Sequence, residues 1–182
     1  MGERRAALLA GADGTVLEVG AGTGVNLDHY PALERLILSE PSEHMRRRLV
    51  ARAEAAGVEA EIVAAGAEDL SLADASVDTV VVTLVLCSVP DLGAAVAELR
   101  RVLRPDGRLL LIEHVRAEGR AARAQDLADR VWPHLAQGCH PNRDTVRALD
   151  AGGFRRIEEE RFVPPERIGP LTPHVVGVYQ PA

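Results

Sequence analysis

Five short and almost continuously apolar runs constrain the possible folds of this chain more than any other feature. They cover residues 15–19, 35–39, 60–64, 78–84 and 108–113. Runs of this length without polar alternation are typical of parallel strands that are covered on both faces of a sheet. Segments 41–56 and 91–103 carry apolar residues at three- and four-residue spacing, which is the pattern of amphipathic helices. The alternation of the two patterns predicts an α/β protein.

The last third of the chain has a different rhythm. Residues 118–136 predict one long polar helix, and residues 143–151 predict a short one. Segments 154–162 and 174–179 predict two strands joined by a proline-rich loop. A connection without a helix does not easily make a parallel crossover, so we expect these strands to pair antiparallel. The chain therefore predicts one domain over residues 1–182, with a mixed, largely parallel sheet and helices on both faces.

Composition and charge disfavour several classes of protein. The chain has 182 residues and a net charge of −6, whereas nucleic-acid-binding domains usually carry a basic face, so no nucleic-acid partner is expected. Its two cysteines, Cys87 and Cys139, cannot form a disulfide framework, which favours a reducing cytoplasm. The longest apolar run, residues 80–89, is far shorter than the roughly 18–20 residues that span a bilayer. We therefore expect a cytoplasmic protein without a membrane anchor.

Three glycines directly follow the first predicted strand and begin a helix. Gly20, Gly22 and Gly24 allow positive φ angles and let a ligand approach the backbone where a Cβ would clash. Glu40 lies twenty residues after Gly20, at the end of the second predicted strand, where a carboxylate can accept the hydroxyls of a ribose. This combination predicts an adenosine-containing cofactor.

The spacing of the glycines bears on which cofactor this is. Nicotinamide-binding loops have the pattern GxGxxG, whereas this loop reads GxGxG and has Val25 at the third glycine position of the dinucleotide pattern. No lysine follows the glycines, so a Walker A loop is absent. Glu18 stands two residues before the first glycine.

The order of motifs resembles that of class I S-adenosylmethionine-dependent methyltransferases. The resemblance is carried by VLEVGAGTG, the acidic strand end SEPS, the segment GAEDL, and the stretches SVDTVVVTLVLCSV and LRRVLRPDGRLLLIEHV. It covers residues 15–115, and five motifs in the right order are highly specific. The resemblance implies a Rossmann-like three-layer sandwich, a seven-stranded sheet in the order 3-2-1-4-5-7-6 with an antiparallel C-terminal strand, and S-adenosylmethionine as the cofactor.

A narrower resemblance, to the methyltransferase-like proteins that act on alkyl thiols and to their bacterial relatives, extends nearly to the C-terminus. It is carried by LVLCSV, IEHV, Asp129 with Trp132, Gly138-Cys139, the segment RDT at 143–145 and PHV at 173–175. Three positions depart from that pattern. Ala21 stands where a cysteine is common, Asp106 replaces the first glycine of a Pro-Gly-Gly turn, and Gln137 replaces an aspartate.

The class I resemblance implies a set of cofactor contacts around the glycine loop. The predicted contacts to the methionine part are Glu18, Gly20, Ala21, Gly22, Gly24 and Asn26, with Glu18 supporting the ammonium group. The predicted contacts to the ribose and adenine are Glu40, Pro41, Met45, Ala67 and Glu68. Thr83 and Leu84 are expected to close the site near the amino-acid moiety. Gly66 stands where the family often has an acidic residue. Glu68 or a backbone group would then take over the role of that residue in the cofactor site.

The candidate catalytic residues are His114 and His140. Ligands of open α/β sheets lie outside the carboxyl ends of the strands, and His114 directly follows the fifth predicted strand. Either histidine is a candidate to receive a proton or to orient the acceptor. Cys87, Trp132 and His174 are expected to shape the acceptor pocket.

We expect no metal site. Cys139 has His140 beside it and His134 five residues before it, but no second compact pair of ligands accompanies them. A structural zinc site needs four ligands.

The predicted function is transfer of a methyl group from S-adenosylmethionine to a small, fairly apolar acceptor, with a thiol favoured. The alternatives are O-, N- or C-methylation of a quinol or natural product, a nicotinamide-dependent reductase, and a non-catalytic cofactor-binding module. We expect residues 116–145, or a second copy of the chain in a homodimer, to shield the pocket from water.

Overall fold

The computed structural model describes residues 1–164 and 173–182. Its centre is a seven-stranded sheet in the order β3-β2-β1-β4-β5-β7-β6. The strands are β1 (Thr15–Val19), β2 (Arg35–Ser39), β3 (Glu61–Val63), β4 (Val77–Thr83), β5 (Leu103–His114), β6 (Phe154–Phe162) and β7 (His174–Pro181). Strands β1 to β5 are parallel, whereas β7 is antiparallel to both β5 and β6. The predicted fold class, the strand order and the antiparallel ending are confirmed.

Helices cover both faces of this sheet. They are α1 (Gly2–Leu9), α2 (Glu43–Ala56), α3 (Leu92–Val102), α4 (Gly119–Ala128), α5 (Trp132–Leu135) and α6 (Thr145–Ala151), with a 3₁₀ turn at Leu27–His29. One core contains residues of α3 and α6, and the other contains residues of α1 and α2. Alternate residues of β4 and β5 point into the two cores, which explains why these strands are apolar without alternation. No helix of the described residues is long and apolar enough to cross a membrane.

The two long helices α2 and α3 begin at side-chain caps. Asp91 accepts a hydrogen bond from the Ala94 amide at 3.0 Å and caps α3. Ser42 accepts one from the Met45 amide at 3.4 Å and caps α2. These caps satisfy amides that have no partner inside the helix.

The prediction of one long helix over residues 118–136 is wrong. The chain forms α4 and the short α5, with a turn between them. Pro133 lies in the first turn of α5, where its missing N–H is tolerated, whereas inside one continuous helix it would remove a backbone hydrogen bond and clash with the carbonyl four residues before it. The break returns the chain toward the sheet, where the His140 amide donates to the carbonyl of Cys87 at 2.8 Å.

The fifth strand begins earlier than predicted. Residues 105–107 form an irregularity within β5 between the pairs Val77–Leu103 and Thr79–Arg108. A Cβ on Gly107 would lie 2.9 Å from the Asp78 carbonyl oxygen, so the close approach of the two strands requires glycine there.

Candidate active site

A cavity of about 360 Å³ lies at the carboxyl ends of β1, β2 and β4. Eight predicted cofactor contacts line it, namely Gly20, Gly22, Glu40, Pro41, Met45, Ala67, Glu68 and Leu84. The volume lies within the range of small-molecule and cofactor sites, about 300–1,000 Å³. We call it the cofactor cavity.

The three loop positions are glycine for different structural reasons. All three have positive φ angles. A Cβ on Gly20 would lie 2.6 Å from Val85, and one on Gly24 would lie 2.8 Å from Leu27, so these two positions are closed by protein packing. A Cβ on Gly22 would meet no atom closer than 4.0 Å and would enter the cofactor cavity. Gly22 is therefore the loop position where a side chain would compete with a ligand.

Glu40 is held rigidly at the edge of the cofactor cavity. Its Oε2 accepts a hydrogen bond from the Gly22 amide at 3.0 Å, and its Oε1 accepts one from the Ser42 amide at 2.8 Å. Each carboxylate oxygen can accept a further hydrogen bond. Glu40 therefore has the position and the acceptor capacity to bind a ribose diol.

Glu18, Asn26 and Thr83 do not line the cofactor cavity. They form a hydrogen-bonded group beside the loop, in which Asn26 Nδ2 donates to Glu18 at 2.8 Å and to Thr83 Oγ1 at 3.1 Å. Tyr30 donates its hydroxyl to Glu18 at 2.7 Å, and Arg5 donates to Asn26. Desolvation by burial raises the pKa of Glu18 to about 7, although the hydrogen bonds from Tyr30 and Asn26 oppose this shift. The proposed support of an ammonium group by Glu18 stays a prediction.

Ala21 and Gly24 also lie outside the lining of the cofactor cavity. Ala21 is buried in the core beside α2, and its amide donates to the carbonyl of Ser39 at 2.9 Å. These two residues shape the loop, and their predicted contact with a cofactor stays a prediction.

A second cavity of about 280 Å³ adjoins the first. Its lining residues are Leu84, Cys87, Ser88, His114, Trp132, Ala136, Gln137, Cys139 and His174. Leu84, Ser88 and Gln137 also line the cofactor cavity. The structure thus brings His114 together with all three predicted pocket residues, and we call this space the acceptor cavity.

Two residues at the boundary of the cavities have left-handed backbone conformations that side chains rarely adopt. Leu84 has a φ of 60° and Gln137 has a φ of 52°. Such conformations cost of order 1–3 kcal/mol and persist only where the surroundings impose them. At Leu84 the surroundings include Glu113, whose Oε1 accepts hydrogen bonds from the amides of Val85 at 2.5 Å and Leu86 at 2.8 Å. Glu113 is fully buried, and desolvation raises its pKa to about 7.

Cys139 is the residue whose importance the sequence analysis missed. Its Sγ lies 2.9 Å from His114 Nε2, and the Sγ of Cys87 completes a group of three side chains within 4.8 Å of one another. The interactions with Cys87 and His114 lower the pKa of the Cys139 thiol. Burial disfavours a charged His114, but the contact with Cys139 outweighs it and raises the pKa of the imidazole. The sequence analysis named Cys139 in the Gly138-Cys139 pair of the family resemblance and set it aside as a metal ligand, but it did not predict the contacts with Cys87 and His114.

His140 is not among the residues that line the acceptor cavity. Its Nδ1 lies 2.9 Å from Asp129 Oδ1, which turns the ring toward α4. A catalytic role for His140 stays a prediction, and this arrangement favours His114.

A larger cavity of about 710 Å³ lies elsewhere, between α1 and strands β5, β6 and β7. None of the predicted site residues lines it. The polar groups with cofactor-binding geometry instead converge at the carboxyl ends of the parallel strands, where ligands of open α/β sheets bind.

The strand order and the cofactor cavity at the end of β1 define a class I methyltransferase. A family model described as a methyltransferase domain matches residues 17–111. A solved structure of a putative methyltransferase from Bacillus halodurans has a TM-score of 0.82 at 18% identity, covering 98% of this chain and 99% of that one, and it shows the same fold.

Curated relatives extend this likeness over most of the chain. The human thiol S-methyltransferase TMT1B is 40% identical over 177 residues, covering 93% of this chain and 72% of that protein. Human TMT1A, also a thiol S-methyltransferase, is 36% identical, covering 90% of this chain and 69% of that protein. The chain belongs to the methyltransferase domain family and is an enzyme of that family. The reductase and the binding-module alternatives have no support in these comparisons, and the family implies S-adenosylmethionine as the methyl donor.

Proposed function

We propose that this enzyme transfers the methyl group of S-adenosylmethionine to the sulfur of a small thiol. The observation that carries the proposal is the acceptor cavity, which opens onto the cofactor cavity at Leu84, Ser88 and Gln137. Its described lining combines apolar surface with sulfur and imidazole groups and includes no carboxylate. The names of the thiol S-methyltransferases to which this chain is similar support the same acceptor class.

The cofactor cavity fits the proposed methyl donor. The space above Gly22 would be filled by a Cβ, and the oxygens of Glu40 have acceptor capacity left for the ribose hydroxyls. Pro41 and Met45 would enclose the adenine, and Ala67 and Glu68 would meet its edge. When bound, S-adenosylmethionine supplies a methyl group that is activated by its sulfonium charge.

The residues of the chain then position the methyl donor and the acceptor and exclude water from them. Holding two reactants in line can supply several kcal/mol of the barrier, up to roughly 7–11 in ideal cases. Leu84 and Gln137, held in unusual backbone conformations between the cavities, limit the path along which an acceptor atom approaches. Trp132 and Gln137 belong to the segment between α4 and α6, and their place in the lining supports the expected cover by residues 116–145.

A thiol suits a cavity whose described lining contains no carboxylate. With a pKa near 8.5, a thiol costs only about 2 kcal/mol to deprotonate at pH 7, whereas a phenol with a pKa near 10 costs about 4 kcal/mol. The proton of the thiol leaves for solvent before attack. His114 would orient the sulfur, because its ring lies in the wall of the acceptor cavity.

The test is turnover of a panel of small alkyl thiols, of thiophenols, and of phenols with the same carbon skeletons as the thiophenols, read as formation of S-adenosylhomocysteine. We expect thiols to be methylated at rates that rise with pH as each thiol ionises. His114→Ala is compared with His134→Ala, a matched substitution at an exposed histidine outside both cavities. We expect the first to raise the KM for thiols and the second to leave it unchanged. Methylation of phenols, quinols or amines without thiol turnover would refute the thiol as the acceptor class. The assignment as a methyltransferase would still stand.

A further inference from the structure

We propose that Cys87, His114 and Cys139 bind a zinc-like divalent cation in the wall of the acceptor cavity and leave one coordination position open to the acceptor. The cation site stands on the geometry of the three side chains. The open position for an acceptor sulfur rests on the proposed thiol methyltransferase activity.

The fold brings the three ligands together from three separate segments. Cys87 follows β4, His114 is the last residue of β5, and Cys139 lies between α5 and α6. The separation of His114 Nε2 from Cys139 Sγ is 2.9 Å, and the ligand atoms of all three lie within 4.8 Å of one another. A tetrahedral zinc ion holds sulfur and nitrogen ligands roughly 3.5–3.8 Å apart, since Zn–S is about 2.3 Å and Zn–N about 2.0 Å. These required separations lie between the observed 2.9 Å and 4.8 Å, so small side-chain rotations would bring the three ligand atoms to the coordination distances.

The type of ligand selects the type of cation. Thiolate and imidazole ligands favour zinc and other soft or borderline ions, whereas magnesium and calcium need oxygen ligands. The described lining of the acceptor cavity has no carboxylate, which disfavours magnesium and calcium. Three protein ligands with a fourth position open are typical of catalytic zinc sites, and four protein ligands are typical of structural ones. This group has three.

The site is buried but remains reachable from the cavity. Cys87 and His114 are 3% and 6% exposed, and Cys139 is partly exposed. The Nδ1 atom of His114 is buried and has no hydrogen-bond partner among the described residues. Only one ring nitrogen of a neutral histidine carries the proton, so coordination of a cation through Nε2 would leave the proton on Nδ1. All three ligands also line the acceptor cavity, so a bound cation would face the acceptor.

The open coordination position would bind the sulfur of the acceptor thiol. A thiol that binds the cation does so as a thiolate, and its proton passes to solvent. Its sulfur then forms a bond to the methyl carbon while the bond from that carbon to the sulfonium sulfur breaks, with both electrons going to the leaving thioether. The methylated product is a neutral thioether and a weaker ligand than a thiolate, so it leaves the cation. No protein base takes part in this sequence.

The experiment uses Co²⁺ as the probe, because this ion reports on its ligands through absorption. The full chain is purified under reducing conditions, stripped with a chelator and titrated with Zn²⁺ or Co²⁺. We expect about one cation per chain and a thiolate-to-cobalt charge-transfer band. Cys139→Ser and Cys87→Ser should each weaken binding at least tenfold and diminish this band, whereas His134→Ala should match the parent. Circular dichroism checks folding, and if the buried Cys87 variant unfolds, the half-exposed Cys139 variant decides.

A second arm separates the cation from the acceptor. An alkyl thiol added to the cobalt protein should change its visible spectrum, and the matching alcohol should not. A folded protein that binds neither ion and keeps its thiol turnover in chelator overturns the cation site but leaves the proposed function standing. Binding of cobalt without a response to thiols, in a protein that methylates thiols, overturns the open position. Binding of cobalt in a protein that methylates only phenols keeps the cation site and refutes the thiol acceptor.

Discussion

At the scale of single residues, Gly22 and Gly57 form a matched pair that separates backbone strain from ligand space. Their φ angles are 59° and 65°, and a Cβ would find nothing closer than 4.0 Å at the first and nothing within 4 Å at the second. A valine at either position should cost roughly 1–2 kcal/mol of stability, because side chains disfavour the left-handed region. Only Gly22→Val also fills the cofactor cavity. We expect calorimetry to show loss of S-adenosylmethionine binding in Gly22→Val alone, and equal affinity in both variants would contradict the site.

Glu40 and Glu43 form a second matched pair on neighbouring turns of the chain. Glu40 lines the cofactor cavity, whereas Glu43 is exposed and forms only a 3.7 Å ion pair with Arg47. Loss of hydrogen bonds to a charged acceptor costs about 1.5–3 kcal/mol, so Glu40→Ala should weaken cofactor binding roughly ten- to a hundredfold. Glu43→Ala should bind like the parent. Thermal unfolding of both variants controls for the amides of Gly22 and Ser42, and unchanged affinity in a folded Glu40→Ala protein would remove the ribose assignment.

At the scale of elements, the segment between α4 and α6 is the part that cofactor binding should stabilise. Gln137 lines both cavities, and Arg130 is exposed at the turn before α5. Ligand contacts with Gln137 should reduce local opening of this turn, and proteases cleave the opened state. We expect trypsin to cleave after Arg130 more slowly when S-adenosylhomocysteine is present, measured by mass spectrometry of the fragments. NADH is the control ligand, and equal cleavage rates with and without S-adenosylhomocysteine would count against the covering role.

At the scale of the whole molecule, the buried Glu18 makes stability depend on pH. Its pKa is raised to about 7 in the folded state, so the folded protein holds the proton more tightly than the unfolded chain does. The stabilisation from this group is therefore complete at acidic pH, below the ordinary carboxyl pKa, and is lost as the pH rises through about 7. At about 1.4 kcal/mol per unit of pKa shift, the loss is up to roughly 3 kcal/mol.

This pH dependence is measured by urea unfolding of the parent and of Glu18→Gln between pH 4.5 and 8. The free energy of unfolding of the parent should fall relative to that of Glu18→Gln across this interval and then level off. Glu43→Gln, at an exposed carboxyl, should follow the parent. Parallel curves for the parent and Glu18→Gln would show that Glu18 is already ionised in the folded state at acidic pH.

The amino-acid sequence by itself determined those features that depend on a local pattern of residues. The apolar runs predicted β1, β2 and β4 to within one residue, because strands buried on both faces leave a continuous apolar pattern. Gly22 and Glu40 were predicted for the same reason, since each lies directly at a strand end, and their contact across the cavity edge follows from parallel pairing of β1 with β2. The strand order came from the resemblance of the motifs to a family, and not from periodicity.

Only the tertiary structure decided the neighbours of Cys139. Its contact with His114 joins residues 25 positions apart, and Cys87 comes from a third segment. Periodicity reports which face of an element is buried but not what covers it, so the sequence gives no signal of the residues that Cys139, Gln137 and Glu113 contact. The failed prediction of one helix over 118–136 has the same origin. Helical spacing continues through residues 129–131, where the chain instead forms a turn, and contacts with the Cys87 loop lead the chain back over the acceptor cavity.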